Sequence, residues 1–296
     1  MTLKSSEKLG SVPLECSAMR RNDISICILR AGGTNCDEET KRAIENCGVR
    51  AEILHTNKII KNRRLLEYHG LVLPGGFSFG DYVRAGAIWA DVIKQELLEQ
   101  MMMFVDSGRP ILGICNGFQV LIEAGILPGL NGFEETPSLV LASNKPPGYR
   151  CTWTTDNSFL YLRHENAGKC VFTRQIPKGR LLRLPIAHAE GRLVLPQGKE
   201  RESFEQLRKQ DQIVFRFSLE DGGDANNRFP FNPNDAAYDI TAICNNTGTV
   251  CGMMPHPERA FFGYQLPDWT GRKYLQAFGD GRLIFESMVD YIEEKL

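Results

Sequence analysis

One cysteine is flanked by glycine two positions to either side, in Gly113-Ile114-Cys115-Asn116-Gly117, between the apolar run 110–114 and a segment with helical periodicity to about Ala124. A nucleophile held in a strand-to-helix turn needs small neighbours, because its backbone is strained and strand and helix approach closely. The helix start also favours thiolate over thiol. These features make Cys115 a candidate nucleophile, against the commoner case of an inert buried cysteine.

A thiolate attacking an amide carbon also needs a group that protonates the leaving amine and then activates water, and histidine titrates in the right range. His256, in Met253-Met254-Pro255-His256-Pro257-Glu258-Arg259, follows a strand-like run that would carry it to a sheet edge. Glu258, two positions on, could fix its tautomer. His188, beside Glu190, is the other histidine that could be taken for the base; it reads instead as a structural or partner-facing residue. Backbone donors for a developing oxyanion could come from Gly75-Gly76-Phe77 and from the amide of Asn116.

These groups need a scaffold that brings them together. Ile24-Ser25-Ile26-Cys27-Ile28-Leu29 reads as a buried strand closed by a glycine turn, and Asn35 can cap a helix that stops at Gly48. Residues 49–54, 70–73 and 110–114 read as further strands, with helical stretches near 62–68, 87–105 and after Cys115. Strands alternating with helices predict parallel pairing, an α/β layered sheet covered on both faces. From about residue 137 the runs 138–142, 149–153, 181–186, 212–217, 239–244 and 249–253 predict an extension of that sheet plus an antiparallel flap. A Gly/Asn/Pro-rich loop spans 220–235, and an amphipathic helix is expected near 282–294. Residues 1–20 read as a flexible extension and 21–296 as a single domain, since no linker-like stretch divides them.

Composition narrows the partners. Lysine plus arginine (35) nearly balances aspartate plus glutamate (36), so no overall field attracts nucleic acid or an anionic membrane. No apolar run approaches the roughly 20 residues that span a bilayer, and the first twenty residues lack the apolar core of a secretory signal. Nine cysteines without such a signal or a C-x-x-C pair read as reduced thiols in a cytoplasm, with no structural metal.

Leu73-Pro74-Gly75-Gly76-Phe77-Ser78-Phe79-Gly80-Asp81, Leu112-Gly113-Ile114-Cys115-Asn116-Gly117-Phe118-Gln119 and the block 253–259 together resemble the triad-type, class I glutamine amidotransferases. Asn35-Cys36-Asp37 and Ala187-His188-Ala189-Glu190-Gly191 also fit. The details are most similar to the branch that serves phosphoribosylformylglycinamidine synthase. The resemblance runs from about residue 24 to the C-terminus and implies a flavodoxin-like fold. It further implies Cys115 as nucleophile, His256 as acid/base, Glu258 as its orienter, and Gly75, Gly76, Phe77, Asn116 and Gln119 around the substrate glutamine. Ammonia would pass to a large synthase subunit, with a small accessory subunit as a further candidate member of the complex. This chain would carry no cofactor: it has no Gly-x-x-x-x-Gly-Lys-Ser/Thr loop, so ATP and Mg²⁺ are expected on the synthase.

The sequence departs from the family pattern at Ala189, where a glycine is usual, and at Asn232-Pro233-Asn234-Asp235-Ala236. Both segments are expected to face the synthase, which makes His188, Glu190, Asn232 and Asn234 candidate interface residues. Residues 144–149 also differ from the usual substrate-side loop, and 261–281 look like an addition. Two rival readings are a cysteine-elbow chaperone or peptidase, which would place histidine where Asn116 stands, and a binding protein with a decayed triad.

Overall fold

In the computed structural model, which describes residues 19–130, 132–145, 159–271 and 276–296, the chain alternates strand and helix through its first half. Strand β1 (Ser25–Arg30) is followed by α1 (Asp37–Glu45), β2 (Arg50–His55), α2 (Thr56–Asn62) and β3 (Gly70–Leu73). Helices α3 (Ala87–Glu96) and α4 (Leu98–Asp106) lead to β4 (Ile111–Ile114) and α5 (Asn116–Glu123). Every residue of β3 and β4 is buried, as strands covered on both faces require.

The second half contains β5 (Val140–Ala142), β6 (Phe159–His164), β7 (Leu181–Pro185), β8 (Arg192–Val194) and α6 (Glu200–Lys209). It continues with β9 (Ile213–Ser218), β10 (Ile240–Cys244), β11 (Val250–Met253) and α7 (Arg282–Lys295). The main sheet has nine strands in the order β2-β1-β3-β4-β11-β10-β9-β6-β7. Strands β2, β1, β3, β4 and β11 run parallel; β10, β9, β6 and β7 each pair antiparallel with their neighbours. Strands β5 and β8 form a separate antiparallel ribbon, the expected flap. The layered, mostly parallel α/β fold read from the sequence is therefore present.

Helix α1 packs on β1 and β2 and touches α7, while α5 packs on β3, β4 and β11 and touches α3. Buried hydrophobic side chains from both halves form one core cluster, with Trp89, Phe104, Phe118, Phe215 and Phe285 fully buried. Arg21 ties the start of the described chain to the last helix through Glu286, Asp290 and Glu293. No helix among the described residues is long and apolar enough to cross a membrane.

Three expectations change. The single helix 87–105 is two helices that meet at Leu97, whose φ of −125° leaves the helical region while its side chain is buried; no glycine or proline marks the break. The helix expected at 62–68 lies earlier, as α2, and the stretch itself holds only the short 3₁₀ turn Leu65–Glu67. Strands β6 and β8 and helix α6 were not anticipated. The expected extension lies outside the described residues as far as residue 18, and the expected strand 149–153 does so entirely.

Candidate active site

Parallel neighbours end at the same edge, and loops at the carboxyl ends of parallel strands are where α/β sheets bind ligands. Here β1, β3, β4 and β11 are mutually adjacent, with Leu73 paired to Gly113 and Met253 to Ile114. Their exits deliver Cys36, Gly76, Cys115 and His256 to one cavity of about 510 Å³. Phe77, Asp81, Ala187, His188, Glu190 and Arg259 complete most of its lining.

Cys115 sits between β4 and α5 with φ 50° and ψ −104°, a strained conformation for a residue with a side chain. Its neighbouring glycines exist for proximity. A Cβ on Gly117 would lie 1.9 Å from the Leu73 carbonyl oxygen, and one on Gly113 would lie 2.7 Å from the Gly117 oxygen. The Cys115 amide donates to the Met253 carbonyl (2.8 Å), which locks the turn to the strand that carries His256. Its Sγ lies 3.7 Å from the Ala187 oxygen.

The His256 backbone amide donates to the Pro185 carbonyl (2.8 Å), and the ring Nδ1 shares a 2.6 Å hydrogen bond with Glu258 Oε1. Both side chains are buried. Burial opposes charge on this ring, but Glu258 and then the Cys115 sulfur more than offset it, holding its pKa well above the ordinary imidazole range. Nε2 is buried without a hydrogen-bond partner among the described residues, which leaves one ring nitrogen for a reacting group. His188 is the opposite case. Burial, and then the neighbouring His256, pull its pKa down to about 3, so it is neutral, and neither ring nitrogen has a hydrogen-bond partner among the described residues.

The turn after β3 passes directly under the His256 ring. A Cβ on Gly75 would come within 2.8 Å of its Cε1 and 3.0 Å of Cys36 Sγ. Gly76 has φ +149°, a region closed to residues with side chains, and its Cβ would lie 2.7 Å from Thr34 Cα. The Phe77 amide donates to the Gly33 carbonyl (3.0 Å) and is therefore committed, which removes it from the expected oxyanion donors in this structure. The amides of Gly76 and Asn116 have no internal acceptor among the described residues.

Gln119 is also committed. Its Nε2 donates to the Glu190 carbonyl (2.5 Å) and its Oε1 accepts from Asn116 Nδ2 (3.0 Å), while Asn116 Oδ1 accepts from the Ser78 amide (3.2 Å). Gln119 thus braces the cavity wall instead of lining it. Of the four residues expected at an interface, His188, Asn232 and Asn234 are buried within this chain. Asn234 Nδ2 donates to the Gly191 carbonyl (2.7 Å) and Asn232 Nδ2 to Asp239 (2.7 Å), so both shape loops of this chain. Glu190, the fourth, lines the cavity.

Three cavity residues had no assigned role in the sequence reading. Cys36 lies beside the His256 ring; burial pushes its thiol up to about 11, and it accepts from Arg259 Nη2 (3.1 Å). Arg259 also pairs with Glu39 (2.8 Å), and Asp81 follows the Gly75-Gly76 turn. The signal for all three was position, since each stands within or just after a strand-exit motif. Cys36, His256 and Glu258 offer ligand atoms within 4.8 Å of one another, the one such group among the described residues. Because the His256–Glu258 hydrogen bond already occupies two of those atoms, the arrangement suits proton handling better than a metal.

The cavity brings together a cysteine at a strained elbow, an imidazole hydrogen-bonded to a carboxylate, and two backbone amides without an internal acceptor among the described residues, the groups that cysteine acyl transfer requires. Residues 23–292 match the family described as the CobB/CobQ-like glutamine amidotransferase domain. The phosphoribosylformylglycinamidine synthase subunit PurQ of Archaeoglobus fulgidus is 44% identical over 286 residues, covering 93% of this chain and 100% of that protein. The corresponding PurQ subunit of Methanothrix thermoacetophila is 42% identical over 279 residues, covering 91% and 98%. A solved structure of PurLQS from Thermotoga maritima superposes with a TM-score of 0.65 at 29% identity, covering 91% of this chain and 99% of the matched chain. The chain belongs to the glutamine amidotransferase family, in the branch of the phosphoribosylformylglycinamidine synthase subunit PurQ.

Proposed function

We propose that this chain hydrolyses glutamine to glutamate and ammonia at Cys115 and supplies the ammonia to a synthase subunit. That subunit converts formylglycinamide ribonucleotide to its amidine, with ATP and Mg²⁺ on its side of the complex. The observation that carries the reading is the convergence of Cys115 with the His256–Glu258 pair on one cavity at the carboxyl edge of the parallel strands. Cys115 attacks the side-chain amide carbon, and the Gly76 and Asn116 amides stabilise the oxyanion. His256 gives a proton to the departing ammonia and then takes one from the water that cleaves the γ-glutamyl thioester.

Support for a protein partner comes from the cavity mouth. Phe77 (56% exposed) lines it, and Tyr82 (75%) and Val83 (87%) follow a few residues on, exposed apolar side chains of the kind that a partner covers. The named relatives are subunits of a synthase, and PurLQS is the complex seen in the similar structure.

The test is Cys115→Ala in the complex purified with its synthase. Glutamine hydrolysis is expected to fall by about four orders of magnitude or more, while amidine formation from added ammonia survives. Equal loss of both activities would make Cys115 a structural residue and defeat the reading.

A further inference from the structure

We propose that Cys36 is a positioning residue for the His256 imidazole: its thiol bridges the ring and the Arg259 guanidinium and holds the ring in place for proton transfer. The inference rests on the glutaminase activity proposed above and names a residue that acts through its acid/base group. Cys36, Cys115, His256 and Arg259 line one cavity.

A buried cysteine is ordinarily a small apolar side chain in a core. Cys36 is buried, yet it is the one cysteine among the described residues that stands outside the hydrophobic core cluster. It meets polar groups instead. The thiol donates to Asn35 Oδ1 (3.2 Å) and accepts from Arg259 Nη2 (3.1 Å). The sulfur also lies within 4.8 Å of a His256 ring nitrogen and of a Glu258 carboxylate oxygen. Helix capping does not account for it either. Cys36 is the N-cap residue of α1, where a side chain commonly accepts from the first turn, and it makes no such hydrogen bond.

The sulfur is itself held from several sides. The Cys36 amide donates to the Gly75 carbonyl (3.2 Å), and Glu39, in the first turn of α1, accepts from Arg259 Nε (2.8 Å). The start of α1 therefore grips the residue three positions after His256. A Cβ on Gly75 would lie 3.0 Å from the Cys36 sulfur and 2.8 Å from His256 Cε1, so sulfur and ring close over the same glycine. The hydrogen bond from His256 to Glu258 is a single tether, about which an imidazole can still swing. Contact with Cys36 and Gly75 restricts that swing and keeps Nε2 available to Cys115.

The choice of a thiol fits this task. An aspartate in its place would compete with Glu258 for the proton of the ring, whereas a thiol engages Arg259 without adding an anion. Burial pushes the Cys36 thiol up to about 11, so near neutral pH it stays protonated and does not rival Cys115 as nucleophile. The titratable and charged groups around the ring are Glu258 and Arg259 from its own turn, Cys115 from the elbow, Cys36 from the start of α1 and His188 from the segment after β7; Asp81 and Glu190 share the cavity. Burial opposes charge on the ring, while Glu258, then Cys115, then Cys36 favour it.

The experiment measures kcat, KM and the pH–rate profile for glutamine hydrolysis in the chain bound to its synthase. In Cys36→Ala, kcat should fall by about 10-fold, the cost of a base displaced by a fraction of an ångström, with KM little changed. The limb that reports loss of the imidazolium proton should move to lower pH, because a group that favours the charged ring is gone. Cys36→Ser keeps a donor and an acceptor at the same place; it should recover most of the lost kcat, and it serves if the alanine variant folds poorly. In the wild-type complex near neutral pH, iodoacetamide should alkylate Cys115 and spare Cys36. A cysteine that only packs would lower the unfolding midpoint in Cys36→Ala and leave the rate and its pH limb in place. An unchanged kcat, an unmoved limb, a loss in Cys36→Ser equal to that in Cys36→Ala, or faster labelling of Cys36 than of Cys115 overturns the assignment. A wild-type complex that hydrolyses no glutamine overturns the proposed function instead, so the two failures are distinct.

Discussion

In the parallel half of the sheet, four strand exits place Cys36, Gly76, Cys115 and His256, whereas the antiparallel half delivers only residues 187–191, whose shape depends on buried amides. The two halves therefore divide the work. Parallel neighbours converge at one edge, so reactive groups from distant parts of the sequence meet there by topology. The segment after β7 is held at the cavity by side chains from other loops: Asn144 donates to the His188 carbonyl (2.9 Å), Asn234 to the Gly191 carbonyl and Gln119 to the Glu190 carbonyl. The parallel strands bring Cys115 and His256 to one cavity, and the segment from the antiparallel side shapes its wall.

That contrast breaks most visibly at Glu258. Glu258→Gln preserves the size of the contact with His256 but removes its charge, and kcat for glutamine hydrolysis is expected to fall by about a hundred- to ten-thousand-fold. Because Glu258 raises the His256 pKa, its loss lowers that pKa. The rate limb that reports loss of the imidazolium proton should then move to lower pH, as a pH–rate profile would show. A loss under tenfold with no such movement would mean that Glu258 does not orient the base.

A smaller effect is expected from Gly75→Ala, whose new Cβ meets His256 Cε1 at 2.8 Å. Displacing the ring by a fraction of an ångström should lower kcat by about 10- to 100-fold, with KM little changed. Retained kcat would show that the ring tolerates movement and that the close approach is only packing.

The smallest effect belongs to the antiparallel half. Asn234→Ala leaves the buried Gly191 carbonyl without its donor, which should destabilise the chain by about 1–3 kcal/mol in thermal or urea unfolding. KM for glutamine should rise a few-fold through a loosened wall, and kcat should be largely kept. If Asn234→Ala lowered kcat as much as Glu258→Gln, the division of labour between the halves would be wrong.

Much of the parallel half is legible in the sequence, because strands covered on both faces are continuous apolar runs and their exits carry glycine turns. Strands β1 to β4 fall within a residue of the runs that predict them. The antiparallel half is less legible. Strand β6 buries alternate residues, and its intermediate positions include Tyr161 and Arg163, so no apolar run announces it. The break at the buried Leu97 carries no glycine or proline to announce it.

By itself, the sequence determined the elbow around Cys115, the His-x-Glu pair and the order of the strands that carry them, because each is local information written in a short window. Only the tertiary structure decided that Asp81, Glu190, Arg259 and Cys36 share one cavity, that Gln119 braces Glu190, and that His188, Asn232 and Asn234 turn inward. Those outcomes depend on side chains from separate loops competing for the same space and the same hydrogen bonds, and no spacing along the chain encodes which of them prevails.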